Sequence, residues 1–232
     1  MKARVKFAKT GAMKFIGHLD IMRYFQKAIR RADIDIAYTE GYSPHMIMSF
    51  AAPLGVGIES SGEYFDMELK SADSSEEMKA RLNKTMVEGM EILSIVQVPD
   101  GKASKAMSLV AAADYSMKFR EGYEPCEDWK ERFASFISQE QITIVKKTKK
   151  SEQEMDILPH IYKHQVKEDG SVVLQVAAGS AMNLKPELVM EAFFRYLNVE
   201  WDAIAVCTTR LEVYADVDGK LVSLDSLGVD FE

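Results

Sequence analysis

The order in which hydrophobic periods follow one another predicts an α+β fold, with two sandwiches in tandem and the element order β-α-β-β-α-β in each. Three observations carry this prediction. Ala3 to Ala8 alternates charged and apolar side chains, as a half-buried strand does. From His18 the apolar residues recur at steps of three and four, the mark of an amphipathic helix. After the turn-forming Pro99-Asp100-Gly101-Lys102 the same succession of periods begins again.

The elements follow in order. Gly11 opens a turn that leads to the helix from His18, whose apolar stripe is Leu19, Met22, Phe25 or Gln26, and Ile29. Ile34 to Tyr38 reads as a short strand, Gly41-Tyr42-Ser43-Pro44 as a loop, and Met46 to Pro53 and Tyr64 to Leu69 as further strands. Ser71 to Ser75 supplies capping residues, and Glu76 and Glu77 suit the positive end of a helix running to about Gly89. Glu91 to Val98 closes the first unit. An Ala/Ser/Met-rich connector leads to a strand over Asp114 to Arg120, a helix over Glu127 to Ser138 and a strand over Ile142 to Lys147. Tyr162 to Val166 and Val172 to Ala177 form a hairpin around Glu168-Asp169-Gly170. Pro186 starts a helix through Leu197, and Val206 to Ala215 with Leu221 to Leu224 close the chain around Asp218-Gly219. Such an order is ferredoxin-like, and the expected domains are 1–100 and 108–232. The repeat is one of element order, without residue-level similarity.

Composition narrows the classes of function. The chain has 232 residues, 47% hydrophobic and 28% charged, as ordinary globular proteins do. No run approaches the roughly 18 apolar residues of a membrane span, so no membrane association is expected. Cys126 and Cys207 lie in unrelated contexts, which argues against a disulfide framework or a zinc or iron-sulfur site, and a reducing cytoplasm is the expected compartment. The net charge of −7 is unevenly spread. Residues 1–50 hold nine Lys/Arg against four Asp/Glu, whereas residues 200–232 hold two against eight. A basic end on an acidic chain suits a local anionic partner. The chain lacks GxxxxGK[ST], GxGxxG, HExxH and GxSxG patterns, which leaves nucleotide hydrolysis, zinc proteolysis and serine hydrolysis without support, and no cofactor or metal is expected.

Candidate site residues concentrate between positions 18 and 68. Arg23, Lys27, Arg30 and Arg31 share one helix face that has no acid after Asp20, so they can track phosphates or simply be solvated. Tyr38, Tyr42 and His45 lie in or beside a Gly/Pro loop, where aromatic rings can stack on unpaired bases. His18, Asp20, His45 and Asp66 are the candidates for acid-base chemistry, although His18 and Asp20 equally suit the first turn of a helix. Lys146-Lys147-Thr148-Lys149-Lys150 reads as a second phosphate contact or as a solubilising edge. Asp156-Ile157-Leu158-Pro159-His160 is weak as a catalytic pair, because nothing in the sequence activates either group.

These residues carry a resemblance. The chain resembles the radical-SAM-linked protein family, a bacterial domain of unknown function found alone or at the C-terminal end of B12-binding radical SAM proteins. The likeness rests on Phe15-Ile16-Gly17-His18-Leu19-Asp20-Ile21-Met22-Arg23, Arg30-Arg31-Ala32, Ala37 to His45, Met48-Ser49-Phe50, Pro53-Leu54-Gly55-Val56-Gly57 and Glu63-Tyr64-Phe65-Asp66. It covers the first 70 residues better than the rest. Leu158 stands where the family pattern has a basic residue between a hydrophobic residue and a proline. The resemblance brings no established activity. Its genes lie near those for a ribonuclease of the E/G type and for large-subunit ribosomal proteins, which makes RNA the expected partner.

The leading expectation is an RNA-binding accessory module without independent activity, presenting rRNA or tRNA to a processing or modifying enzyme. Arg23, Lys27, Arg30 and Arg31 would meet phosphates, Tyr38 and Tyr42 would stack, and His45 with His18 would contact a base or sugar. One alternative is a metal-independent RNA-processing or RNA-modifying enzyme using His18 or His45. Another is a protein-docking module for a radical SAM enzyme.

Overall fold

Alternation in the first ten residues becomes β1 (Lys2–Lys9), followed by a 3₁₀ turn over Gly11–Phe15 and α1 (His18–Arg31). Then come β2 (Met48–Phe50), β3 (Glu59–Glu68), α2 (Ser75–Asn83), β4 (Met90–Val98) and the one-turn α3 (Ala106–Leu109). The computed structural model describes residues 1–101, 104–147 and 152–232, a mixed α+β structure that divides into two units. Unit 1 holds Met1–Ala112 and Arg210–Glu232, and unit 2 holds Ala113–Thr209.

In unit 1, β1 lies between β4 and β3, β2 pairs with β3, and all three pairings are antiparallel. The register sorts side chains by face. Ala3 pairs with Met67, Val5 with Phe65 and Phe7 with Glu63 on the face that meets α1. Lys2 pairs with Glu68, Arg4 with Asp66 and Lys6 with Tyr64 on the other.

The α1 face holds an aromatic core. Phe7 and Phe25 lie 4.7 Å apart between ring centroids, Phe25 and Phe65 4.8 Å, and Phe50 and Phe65 5.3 Å. Edge and tilted contacts of this kind add to the burial of large rings. The helix buries Ile21, Phe25, Ala28 and Ile29, whereas Leu19, expected in the stripe, is 62% exposed. The buried residues follow the same steps of three and four, but the stripe is turned away from Leu19.

α2 begins as predicted, with Ser74 and Glu77 forming a reciprocal capping box. It stops at Asn83 rather than near Gly89. The Asn83 side chain bonds both the N–H and the C=O of Ile92, at 2.8 and 3.0 Å, and so ties the helix end to β4. The strand expected over Ile34 to Tyr38 is reduced to the isolated bridges Ile36 to Leu69 and Tyr38 to Met46.

Unit 2 starts within β5 (Val110–Phe119) and continues through α4 (Trp129–Ile137), β6 (Thr143–Lys147), β7 (Glu152–Asp156), β8 (Ile161–Val166), β9 (Val172–Ala177) and α5 (Pro186–Tyr196). It ends within β10 (Val206–Val217), and β11 (Lys220–Ser223) follows in unit 1. The strand order of unit 2 is β10-β5-β9-β8, and β6 and β7 make a separate antiparallel pair. The hydrophobic periods do not predict β7. The unit's core is aromatic: Phe133 and Phe193 lie 5.1 Å apart, Phe119 and Trp129 5.0 Å.

The division differs from the expected domains 1–100 and 108–232. The predicted linker at Pro99 to Lys102 lies within unit 1, and Lys102 is outside the described residues. Beyond it, the Ser104 carbonyl accepts from Arg4 at 2.7 Å and the Ala106 N–H donates to Asp66 at 2.7 Å. The C-terminal residues also return to unit 1. Val229 exchanges backbone bonds with Gln97 at 2.8 and 3.0 Å, and Phe231 exchanges bonds with Ser75 at 2.9 and 3.0 Å. Gly228 permits this approach, since a Cβ there would stand 2.5 Å from Val96 Cγ2.

Candidate nucleic-acid interface

α1 presents its polar side as an uneven field of charge. Arg23, Lys27, Arg30 and Arg31 are all exposed, and Asp20 is the single acid among them. Asp20 accepts from Arg23 at 3.0 Å, with both side chains about two-thirds exposed. Arg30 donates to the Gln26 carbonyl at 3.2 Å and Arg31 to the Thr85 carbonyl at 3.1 Å. Lys27, Arg30 and Arg31 thus have no carboxylate partner among the described residues. A backbone carbonyl fixes a guanidinium without neutralising it.

The loop between Tyr38 and Met46 holds the expected aromatics at the surface. Tyr38 is 42% exposed and Tyr42 is wholly exposed. Burying a tyrosine ring is favourable, so a ring left entirely in water is a notable surface feature. The loop is held by its own residues: Thr39 N–H donates to the His45 carbonyl at 2.9 Å, and His45 N–H donates to Thr39 Oγ1 at 3.1 Å. His45 Nδ1 also lies 3.1 Å from Thr39 Oγ1. Gly41, at φ +107°, makes a turn that side chains rarely allow. Among the described residues, no hydrogen bond or ion pair joins this loop to α1.

The acid-base candidates do not come together. His18 is half-buried, with its ring edge-on to Phe50 at 5.1 Å on the α1 side of the sheet. His45 belongs to the exposed loop, and Asp20 serves Arg23. Asp66 is on the opposite sheet face, 3% exposed. It accepts from Arg4 Nε at 2.8 Å, from Arg4 Nη2 at 3.2 Å and from Ala106 N–H at 2.7 Å. Arg4, fully buried, also donates to the carbonyls of Leu224 and Ser104. Those bonds make Asp66 a structural anchor, since its oxygens are occupied and closed off from substrate.

Of the lysine run, Lys146 and Lys147 end β6, and 148–150 lie outside the described residues. Asp156 is a turn residue that accepts from the Ile142 and Leu158 N–H groups at 2.9 and 3.0 Å. Among the described residues, no group of three or more His, Cys, Asp or Glu side chains is placed to hold a metal ion, and no helix is long and apolar enough to cross a membrane.

Sequence reasoning missed a second set of groups. Bulges flank Phe7 in both pairings of β1, and Lys9 emerges on the α1 side at 3% exposure. It lines a cleft of about 20 Å³ with Phe7, Ile16, His18, Phe50, Leu54 and Glu63. The Glu63 carboxylate is clamped by Arg210, which donates from Nε at 2.7 Å and from Nη2. Arg210 Nη2 also donates to the Ala52 carbonyl at 2.7 Å. Burial pushes the Lys9 ammonium below the ordinary lysine range, with Glu63 pulling against that shift and Arg210 adding to it. A signal was present: Ala3, Val5 and Phe7 mark the core stripe of β1, and Lys9 is the next residue on it.

The candidate site is therefore an exposed cationic helix face, with a separate aromatic loop, on an α+β unit. The chain belongs to DUF2344, a family of uncharacterized proteins conserved in bacteria, whose model matches residues 2–186. No curated protein matches it. Among solved structures it is similar to a chain in the crystal structure of a Cbf5-Nop10-Gar1 complex, at 10% identity and a TM-score of 0.43. That match covers 91% of this chain and 48% of the other. A likeness of that size does not bear on function.

Proposed function

We propose that unit 1 binds RNA through the outer face of α1 and the Tyr38 to His45 loop, and that the chain is an accessory module presenting rRNA or tRNA to a processing or modifying enzyme in the cytoplasm. One observation carries the reading: three of the four cations on the α1 face have no carboxylate partner among the described residues. Uncompensated cations release counterions from a phosphate backbone when they bind it. The exposed rings of Tyr38 and Tyr42 supply stacking surfaces, which suit unpaired bases better than a duplex. Arg23, Lys27, Arg30 and Arg31 are assigned to phosphates, Tyr38 and Tyr42 to bases, and His45 to a base or sugar. No catalytic role is assigned to His18, Asp20, His45 or Asp66.

Two tandem ferredoxin-like sandwiches are the architecture we infer. In its favour, unit 1 runs β1-α1-β2-β3-α2-β4, with β4-β1-β3 in sequence across the sheet and β2 on β3. Unit 2 repeats the arrangement as β10-β5-β9-β8, with the β6-β7 hairpin inserted after α4.

The test is purification from cells at low salt, with and without nuclease, followed by sequencing of the bound nucleic acid. A discrete enriched RNA that nuclease removes is the expected result. A protein partner retained after nuclease, with no enriched RNA, would replace this reading with docking onto a protein such as a radical SAM enzyme. Phe15, Leu19 and Val56, at 64%, 62% and 63% exposure, favour that second reading, because they leave apolar surface around the start of α1.

A further inference from the structure

Lys9 is a buried lysine whose neighbouring carboxylate, Glu63, is hydrogen-bonded to another cation. It is 3% exposed overall, and its ammonium makes no hydrogen bond or ion pair among the described residues, although the nitrogen itself is not sealed from solvent. Buried ammonium groups are ordinarily paired, because desolvating a lone charge is strongly unfavourable. The nearest acid by arrangement, Glu63, is already engaged at both oxygens by Arg210. At Lys9 the attraction of Glu63 outweighs the repulsion of Arg210, so the ammonium faces a carboxylate that already carries a guanidinium.

The start of α1 opens on the same cleft. Ile16, His18 and Ile21 line it. The cap residue Gly17 offers no side chain to the first-turn N–H groups, so the helix adds partial positive charge there. Apolar walls from Phe7, Phe50, Pro53 and Leu54 lower the local dielectric and strengthen any charge pairing inside. The rim is built rather than incidental: Gly57 N–H donates to the Lys14 carbonyl at 2.8 Å, joining the segment before α1 to the Pro53 to Gly57 loop.

We propose that this cleft is a binding site for one small oxyanionic group, a phosphate or a carboxylate, held by the Lys9 ammonium and the first turn of α1, with His18 as a further hydrogen-bonding wall. The free space of about 20 Å³ is room for roughly one water, so the cleft admits one oxygen of the group and leaves the rest of the ligand outside. Phe15, Leu19 and Val56, exposed on the segments that form or adjoin the rim, offer that body apolar contact. Burial lowers the affinity of Lys9 for its proton, and an oxyanion bound in the cleft would oppose that shift as Glu63 does. The cleft stands apart from the outer face of α1, and neither proposal depends on the other.

Backbone amide NMR on the full chain tests the site, by titration with inorganic phosphate and, separately, with acetate at constant ionic strength. Saturable shifts centred on Lys9, His18 and Leu54, lost in Lys9→Met, are expected for at least one of the two probes. Saturation by phosphate alone would assign a phosphate monoester as the natural group, and saturation by acetate alone a carboxylate. Shifts that rise linearly without saturating for both probes in the wild-type chain overturn the site, whether or not the variant folds. Saturable shifts that persist unchanged in Lys9→Met overturn it equally.

Discussion

Two groups of cations in unit 1 stand at opposite extremes, and the contrast shows where a partner can bind. Arg4 and Arg210 are inside, 0% and 4% exposed, each on a carboxylate and on backbone carbonyls. Lys27, Arg30 and Arg31 are outside, with no carboxylate partner among the described residues. The first group holds the fold together, because its charges are spent. The second is available to a ligand, because its charges are not. Lys9 crosses the two categories, buried like Arg4 yet, like Lys27, without a carboxylate hydrogen-bonded to it.

The largest expected effect breaks the inner setting. Asp66→Ala leaves Arg4 buried without its carboxylate, and denaturant unfolding should record a loss of about 3–5 kcal/mol. Arg4→Met combined with Asp66→Leu should cost far less than Asp66→Ala, since removing both charges leaves no orphan. A double variant as unstable as the single one would mean that the carbonyl bonds of Arg4 to Leu224 and Ser104 dominate.

The next effect sharpens the outer setting. Tyr42→Ala should weaken RNA binding by about 1–3 kcal/mol, the range for loss of one stacked base, while the unfolding midpoint stays in place because the ring is wholly exposed. Equal affinity in a filter-binding or anisotropy assay would remove Tyr42 from the interface.

Lys9 connects the comparison to pH. Its folded-state affinity for a proton is lowered, so above its folded pKa and below the unfolded lysine value the unfolded chain binds more protons than the folded one. The contribution of Lys9 to stability therefore rises with pH across that interval. Subtracting the Lys9→Met stability curve from the wild-type curve should reveal the rise, with Glu63, Arg210 and His18 as the charged or titratable groups around it. A flat difference curve would mean that Lys9 meets water or an anion in the folded state. The smallest effect is at Lys27: Lys27→Gln should reduce the slope of log affinity against log salt by about 0.7, the share of one phosphate contact on a single strand.

Much of unit 1 is legible in its amino acids alone. Helix α1 and its basic face follow from spacing, because a period of 3.6 fixes which residues share a side. Ser74 and Glu77 announce the start of α2, since a capping box is a local interaction. Long-range coverage is not legible. Alternation assigns Lys2, Arg4 and Lys6 to a solvent-facing side, but residues 104–106 and 224–225 bond to side chains on that face and turn Arg4 and Asp66 into buried partners. The fate of Arg210–Glu232 is equally hidden. The bonds of Val229 to Gln97 and of Phe231 to Ser75 span more than 130 residues, and no local period encodes them. Lys9 and Glu63 are visible as polar residues at the ends of apolar stripes, yet only the pairing of β1 with β3 sets them on one face with Arg210 alongside.

The most direct test of the outer cations is RNA affinity measured across a salt series for the wild-type chain and for Arg23→Glu/Arg30→Glu. If all four cations of α1 meet phosphates, the wild-type slope of log affinity against log salt should be about −3, and the variant should fold normally and lose binding. A wild-type slope near zero, or a variant that binds with unchanged affinity and slope, would contradict the account.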